Sequence, residues 1–179
     1  MGIDMGNEKP GPSELAQSSS AIACPQYGEI TGQATFYPNG GAAEPVVIHL
    51  EIAETPAQQS CGLMFRDRLP DNRGMGFPFD PPDEVSFWMR NVPVALDMVF
   101  VAHDPSIGES HSGVVGRSYS VLEVITAPPC AESQCPTYGP DGEVAWVIEL
   151  AEGRATEMGL QKGDRLDIQR LETPLPKAP

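Results

Sequence analysis

Residues 87–101 read FWMRNVPVALDMVFV, and this stretch is the most informative part of the chain about its fold. Its first part places a Trp and an Arg on the same side of an extended segment. Its last part alternates, so that Leu96, Met98 and Phe100 share one face and Asp97 points the opposite way. A proline turn separates the two parts. Alternation with period two predicts a half-buried strand on each side of that turn.

Similar short alternating segments, separated by turn-rich stretches, recur along the chain. One short helix is predicted at 56–61, because Thr55 supplies a cap, Gln58 completes a capping box and Gly62 ends the helix in a left-handed conformation. A second is predicted at 154–158. Many short strands with little helix predict an all-β fold, either a jelly-roll-like β-sandwich or a distorted barrel. The predicted strands are 45–54, 74–79, 85–90, 96–102, 114–126, 144–150 and 164–171.

The distribution of polar residues indicates a single domain with extensions. The chain has 179 residues, which is enough for one domain with a sizeable core. Residues 1–32 are polar and rich in Gly, Pro and Ser, and we predict a disordered N-terminal extension there. Residues 33–172 are predicted to form one β domain. Residues 173–179 contain three prolines and are predicted to be a C-terminal tail.

The chain is strongly acidic, with 25 Asp and Glu against 11 Lys and Arg and a formal net charge of −14. Such a charge repels phosphate, so we expect neither nucleic acid nor anionic membrane as a partner. The simplest role of this acidity is solubility. No apolar run approaches the ~20 residues that a membrane span requires. The sequence carries no indication of an oligomeric state.

Four cysteines allow three pairings. Cys130 and Cys135 flank a short polar loop and are predicted to form a disulfide, and Cys24 with Cys61 is a candidate for a second. The spacing differs from that of zinc sites, so we predict no metal and no cofactor. Disulfides indicate an oxidising compartment, and we expect a periplasmic or secreted protein although the chain shows no signal peptide.

Two segments resemble a known family. GLMFRDRLPDNRGMGFPF at 62–79 and the run at 87–101, together with the late turn at Gly159 and Gly163-Asp164, resemble the domain-of-unknown-function 192 family of bacterial and archaeal proteins. The resemblance covers about residues 34–171. It departs at Gly76, where members usually have Leu, and at residues 92–95. The resemblance implies a compact, mostly β domain, often behind an export signal, and no established activity.

The polar residues of these segments are the candidate site. If the two parts of the run 87–101 pair as neighbouring strands, Trp88, Arg90 and Asp97 share one face. We predict a small-ligand or glycan-binding face in which the indole is a stacking platform and nearby polar groups donate hydrogen bonds. The alternative is a structural or interaction module without a ligand, in which an Arg–Asp pair seals the sheet edge. The predicted ligand-binding set is Arg66, Trp88, Arg90, Asn91 and Asp97.

Catalysis is the weaker prediction. Cys61 as a nucleophile has no histidine at a recognisable partner spacing, since His49, His103 and His111 are scattered. A hydrolase or lyase that uses acidic residues, such as Asp97 with Glu123, is kept as an alternative. Copper binding by methionines is disfavoured against core packing. We therefore predict no catalytic residues and expect an exported, non-catalytic binding or accessory protein.

Overall fold

A computed structural model describes residues 24–25, 28–106 and 118–176. Most of the predicted N-terminal extension and the first residues of the predicted strand 114–126 lie outside these ranges. The elements, in chain order, are β1 (Ile30–Tyr37), β2 (Val46–Ile52), α1 (Pro56–Cys61), β3 (Arg73–Asp83), β4 (Phe87–Trp88), β5 (Leu96–His103), β6 (Tyr119–Ala127), β7 (Thr137–Tyr138), β8 (Val144–Ala151), α2 (Arg154–Met158) and β9 (Arg165–Leu175).

Seven strands close a barrel in the order β1-β2-β3-β8-β5-β6-β9, and β9 pairs back onto β1. The all-β prediction is therefore confirmed, in its barrel form. Among the described strands only β2 and β3 pair in parallel. A parallel pair needs a crossover connection, and α1 with residues 62–72 provides it. β4 and β7 form a separate two-stranded ribbon.

The barrel carries apolar side chains on both of its surfaces. One buried cluster draws on six strands and α2 and fills the interior, with Phe36, Leu50, Val99 and Ile148 among its members. A second cluster lies on the outer face of β3, β5 and β8. Apolar residues on an outer face must be covered, and here residues 63–69 and 85–92 pack against them. The parts of the family segments that lie outside β3 and β5 therefore form a layer over the barrel wall.

Two glycines of β3 allow the barrel interior to pack closely. A Cβ atom on Gly74 would lie 2.8 Å from the backbone oxygen of Glu149, which is too close for any larger residue. A Cβ on Gly76 would lie 3.5 Å from the ring of Trp146. The departure from the family pattern at Gly76 thus leaves room for the indole of the neighbouring strand.

The two helices have the predicted bounds. At α1, Thr55 Oγ1 accepts the N–H of Gln58, and the Gln58 side chain accepts the N–H of Thr55, so the capping box is confirmed. Gly62 follows with φ 47° and ψ −130°, a positive φ but not the left-handed helical conformation that was predicted. Neither helix of the described chain is long or apolar enough to cross a membrane.

Four strands differ clearly from the sequence predictions. β1 begins at Ile30, before the predicted domain start, and was not predicted because its inward positions include the small residues Gly32 and Ala34. β9 continues through Leu175 into the predicted tail. The predicted strand 85–90 is reduced to β4, since its partner β7, also unpredicted, is only two residues long.

Candidate functional site

A pocket of about 520 Å³ opens between α1 with its following loop and the β3–β4 segment. We call it the aromatic pocket. Phe87 lines this pocket, with its ring 5.1 Å from that of Phe77 and 6.4 Å from that of Phe79, both edge to face. Such contacts fix aromatic rings relative to one another. Its lining residues are Pro56, Gln59, Ser60, Cys61, Gly62, Leu63, Met64, Phe77, Phe79, Asp83, Glu84, Val85, Ser86, Phe87, Trp88, Val92 and Glu149.

Trp88 lies at the mouth of this pocket and is 49% exposed. The guanidinium carbon of Arg90 lies 5.0 Å from the centre of the indole ring, within cation–π range. The same guanidinium donates from Nη2 to the backbone oxygen of Ser133 at 2.8 Å. Ser133 belongs to the loop that the Cys130–Cys135 disulfide closes. Arg90 therefore links the indole to a covalently closed loop.

Asn91 shapes the backbone beside the pocket. Its φ is +59°, a conformation that Asn adopts more readily than most residues. Its backbone oxygen accepts the N–H of Phe65 at 2.7 Å, and its Nδ2 lies 3.9 Å from Sδ of Met64. These contacts hold the loop after α1 against the turn before β5. Phe65, Arg90 and Asn91 line a neighbouring depression of about 850 Å³, separate from the aromatic pocket.

Arg66 lies in a buried ion-pair cluster on the barrel wall. It is 2% exposed and donates from Nη1 and Nη2 to the two oxygens of Glu51, at 2.8 and 2.9 Å. Arg73 Nη2 donates to the same carboxylate at 3.2 Å, and the N–H of Gly28 donates at 2.6 Å. Glu51 and Arg66 line a smaller cavity of about 250 Å³ on the other side of α1. The side chain of Arg66 is thus turned inward rather than toward Trp88.

Glu149 was not predicted as a site residue, and the structure places it on the floor of the aromatic pocket. On the outer face its neighbours across the strands are Met75 of β3 and Met98 of β5. The residue is 5% exposed, and within the described chain its Oε2 has no hydrogen-bond partner. Burial raises its pKa from 4.5 to about 8, against the opposing charge of Arg66. At pH 7 this carboxyl therefore holds a proton for most of the time.

Asp97 is 1% exposed and lies away from Trp88. β5 pairs with β6 and β8, whereas β4 pairs with β7. The two parts of the run 87–101 are therefore not neighbouring strands, and Trp88 and Asp97 do not share a face. Its Oδ2 accepts the N–H of Ala155 at 2.9 Å, and its Oδ1 accepts the hydroxyl of Thr126 at 2.7 Å. Asp97 thus caps α2, whose own cap position is Gly153. The alternative Arg90–Asp97 pair does not form.

The catalytic alternatives find no support in these contacts. Cys61 is bonded to Cys24 and has no free thiol. Asp97 is buried whereas Glu123 is exposed, so they do not form an acid–base pair. In residues 24–25, 28–106 and 118–176, no group of His, Cys, Asp and Glu is arranged to hold a metal ion. Met75, Met89, Met98 and Met158 are buried in the two apolar clusters.

Two solved structures share this architecture. One, from Sinorhizobium meliloti 1021, is described as "a putative transcription regulator"; it is 26% identical, superposes with a TM-score of 0.60 and covers 80% of this chain and 95% of its own. The other is a protein of unknown function from Novosphingobium aromaticivorans DSM 12444. It is 28% identical, also with a TM-score of 0.60, and covers 90% of this chain and 99% of its own.

No curated protein matches the chain in sequence. The family model of DUF192, described as "Uncharacterized ACR", matches residues 39–168. The match includes both signature segments and the late glycine turn, and it confirms the resemblance found in the sequence. The chain belongs to the DUF192 family.

Proposed function

We propose that this protein binds a small molecule, or a sugar unit, with an apolar face in the aromatic pocket and has no catalytic role. The observation that carries the proposal is the half-exposed Trp88 held at the mouth of a pocket of about 520 Å³. That volume lies within the ~300–1,000 Å³ typical of ligand sites. An exposed indole forgoes burial energy of about 25 cal/mol per Å², which a ligand with an apolar face would recover.

The predicted residues take different parts in this proposal. Trp88 contacts the ligand. Arg90 fixes the orientation of the indole through its contact with the ring and its hydrogen bond to Ser133. Asn91 holds the loop that forms one wall. Arg66 and Asp97 lie outside the proposed binding surface, because both side chains are bonded to protein groups and are 2% and 1% exposed.

We further propose that the protein works in the periplasm or outside the cell. Two disulfides support this location, since such bonds persist in oxidising compartments. We propose no nucleic-acid partner, although the similar Sinorhizobium meliloti protein is described as a transcription regulator. A net charge of −14 opposes approach to phosphate, and Arg66 and Arg73 are buried against Glu51.

A fragment screen by thermal shift and NMR tests the proposal. Trp88→Ala should abolish or weaken most hits at least tenfold, because the platform is lost. Phe65→Ala is a matched control, since it removes another exposed aromatic residue that lines only the neighbouring depression. It should leave the affinities unchanged.

Two other results would reject the proposal. If Phe65→Ala weakens the hits and Trp88→Ala does not, the ligand site is the neighbouring depression. If a diverse screen gives no hit whose NMR shifts map to the aromatic pocket, the structural alternative is correct and Trp88 seals an edge without a ligand.

A further inference from the structure

We infer that the ligand of the aromatic pocket is an organic cation, a protonated amine on an apolar or aromatic body, whose ammonium group binds the Glu149 carboxyl. This inference rests on the proposed function, because it names the ligand chemistry of the same pocket. It depends on three independent features: an unsatisfied buried carboxyl on the floor, aromatic walls, and carboxylates at the mouth.

The floor supplies a carboxyl oxygen that has no hydrogen-bond partner within the described chain. Glu149 lines the pocket, is 95% buried, and its Oε2 has no hydrogen-bond partner within the described chain. Buried polar atoms are almost always bonded, so one that faces a pocket without a partner indicates a missing one. Arg66, whose charge acts on this carboxyl, donates both of its terminal nitrogens to the oxygens of Glu51. An ammonium group carries donors that suit the unpaired oxygen.

The walls and mouth select the sign of the ligand charge. Phe79, Phe87 and Trp88 line the pocket, and aromatic rings attract cations through their negative π surfaces. Arg90 already makes such a contact with the ring of Trp88. Asp83 and Glu84 lie at the opening and are exposed. Among the described residues that line this pocket none is basic, and the whole chain carries −14. An anionic ligand would be repelled by the mouth, and a neutral ligand would gain nothing from it.

Binding of such a cation should release a proton. The free pocket keeps Glu149 protonated at neutral pH, whereas an ammonium group within hydrogen-bond distance stabilises the carboxylate. The carboxyl proton then goes to the buffer. Affinity should therefore rise about tenfold per pH unit from pH 6 to 8 and level off above that. The other titratable or charged groups on β2, β3 and β5 are His49, Glu51, Arg73, Asp80, Asp83, Asp97 and His103, and Arg66 and Glu84 lie on the segments beside the pocket.

Three probes of similar shape and different charge test the inference on the full chain. They are 2-phenylethylammonium, 2-phenylethanol and 3-phenylpropanoate, titrated by NMR and calorimetry at pH 6, 7 and 8. We expect the ammonium probe to bind at least about tenfold tighter than the alcohol and the carboxylate not to bind. Calorimetry in buffers of different ionisation enthalpy should show about one proton released per ammonium bound below pH 8.

Variants separate the role of Glu149 from a loss of folding. Glu149→Gln keeps the shape of the protonated acid, and it should remove both the proton release and the preference for the ammonium probe. Its amide spectrum checks that it is folded. Glu84→Gln should weaken the ammonium probe by about two- to threefold without changing the proton count, since it alters only a screened charge at the mouth.

The outcomes distinguish this inference from the proposed function. If the alcohol and the ammonium bind the pocket equally well, or if Glu149→Gln keeps the preference, the cation inference is wrong and a ligand pocket remains. If neither these probes nor a diverse screen shifts resonances of the aromatic pocket, the proposed function fails as well.

Discussion

Replacing Glu149 by Gln should change how stability depends on pH. The native state holds the carboxyl proton up to about pH 8, whereas the unfolded chain releases it near pH 4.5. Between these two values the native state binds more protons, so its stability decreases as pH rises and is constant above about pH 8. Glutamine resembles the protonated acid and does not titrate, so this decrease should disappear in the variant.

The size of the effect follows from the two pKa values. One pH unit of difference corresponds to 1.36 kcal/mol. A pKa that rises from 4.5 to about 8 therefore costs roughly 5 kcal/mol of unfolding free energy between those pH values. A domain of this size is stable by only about 5–15 kcal/mol. The wild-type protein should thus lose a large part of its stability over a range in which the variant loses far less.

Urea denaturation at pH 5, 6, 7 and 8, followed by tryptophan fluorescence with the disulfides intact, measures this effect. As the pH rises from 5 to 8, the unfolding free energy of Glu149→Gln should increase relative to that of the wild type by several kcal/mol. Glu123→Gln removes an exposed carboxylate on β6 and serves as the control, with a difference that stays nearly constant. Parallel curves for wild type and Glu149→Gln would refute a buried, protonated Glu149.

Other contacts give further predictions. Glu51→Ala leaves Arg66 and Arg73 buried without their carboxylate, and it should lower the unfolding free energy measured in urea by about 3–5 kcal/mol. A loss below about 1 kcal/mol would mean that water takes the place of the carboxylate. Asp97→Ala leaves the N–H of Ala155 without an acceptor and should cost about 1–3 kcal/mol. Amide hydrogen exchange in α2 should also be faster in Asp97→Ala than in the wild type. Unchanged exchange rates in α2 would contradict the capping role of Asp97.

Local signals made part of the fold predictable from the sequence. The Thr55, Gln58 and Gly62 pattern predicts α1, because capping acts within one turn of helix. Alternation predicts β2 and β5, since a strand presents every second residue to the same face. Trp88 and Arg90 were placed on one side of the chain, and they lie together because residues two apart on an extended segment are neighbours.

The site depends on contacts that no local pattern contains. Glu51 and Arg66 are brought together by the parallel pairing of β2 with β3, which requires the crossover through α1. Trp88 and Asp97 would share a face only if β4 and β5 were neighbouring strands. Their actual partners, β7 for β4 and β6 and β8 for β5, are distant in the sequence and could not be inferred from it. Glu149 did leave a signal, because it is the only charged residue in the apolar strand VAWVIELA. A carboxyl in such a strand requires a partner or a raised pKa.

A crystal structure of the protein soaked with 2-phenylethylammonium shows whether the aromatic pocket binds an organic cation. We expect the phenyl ring against Phe87 and Trp88, with the ammonium nitrogen about 2.7–3.2 Å from a carboxyl oxygen of Glu149. An empty aromatic pocket at a saturating concentration, or a probe bound only in the depression beside Phe65, would contradict it.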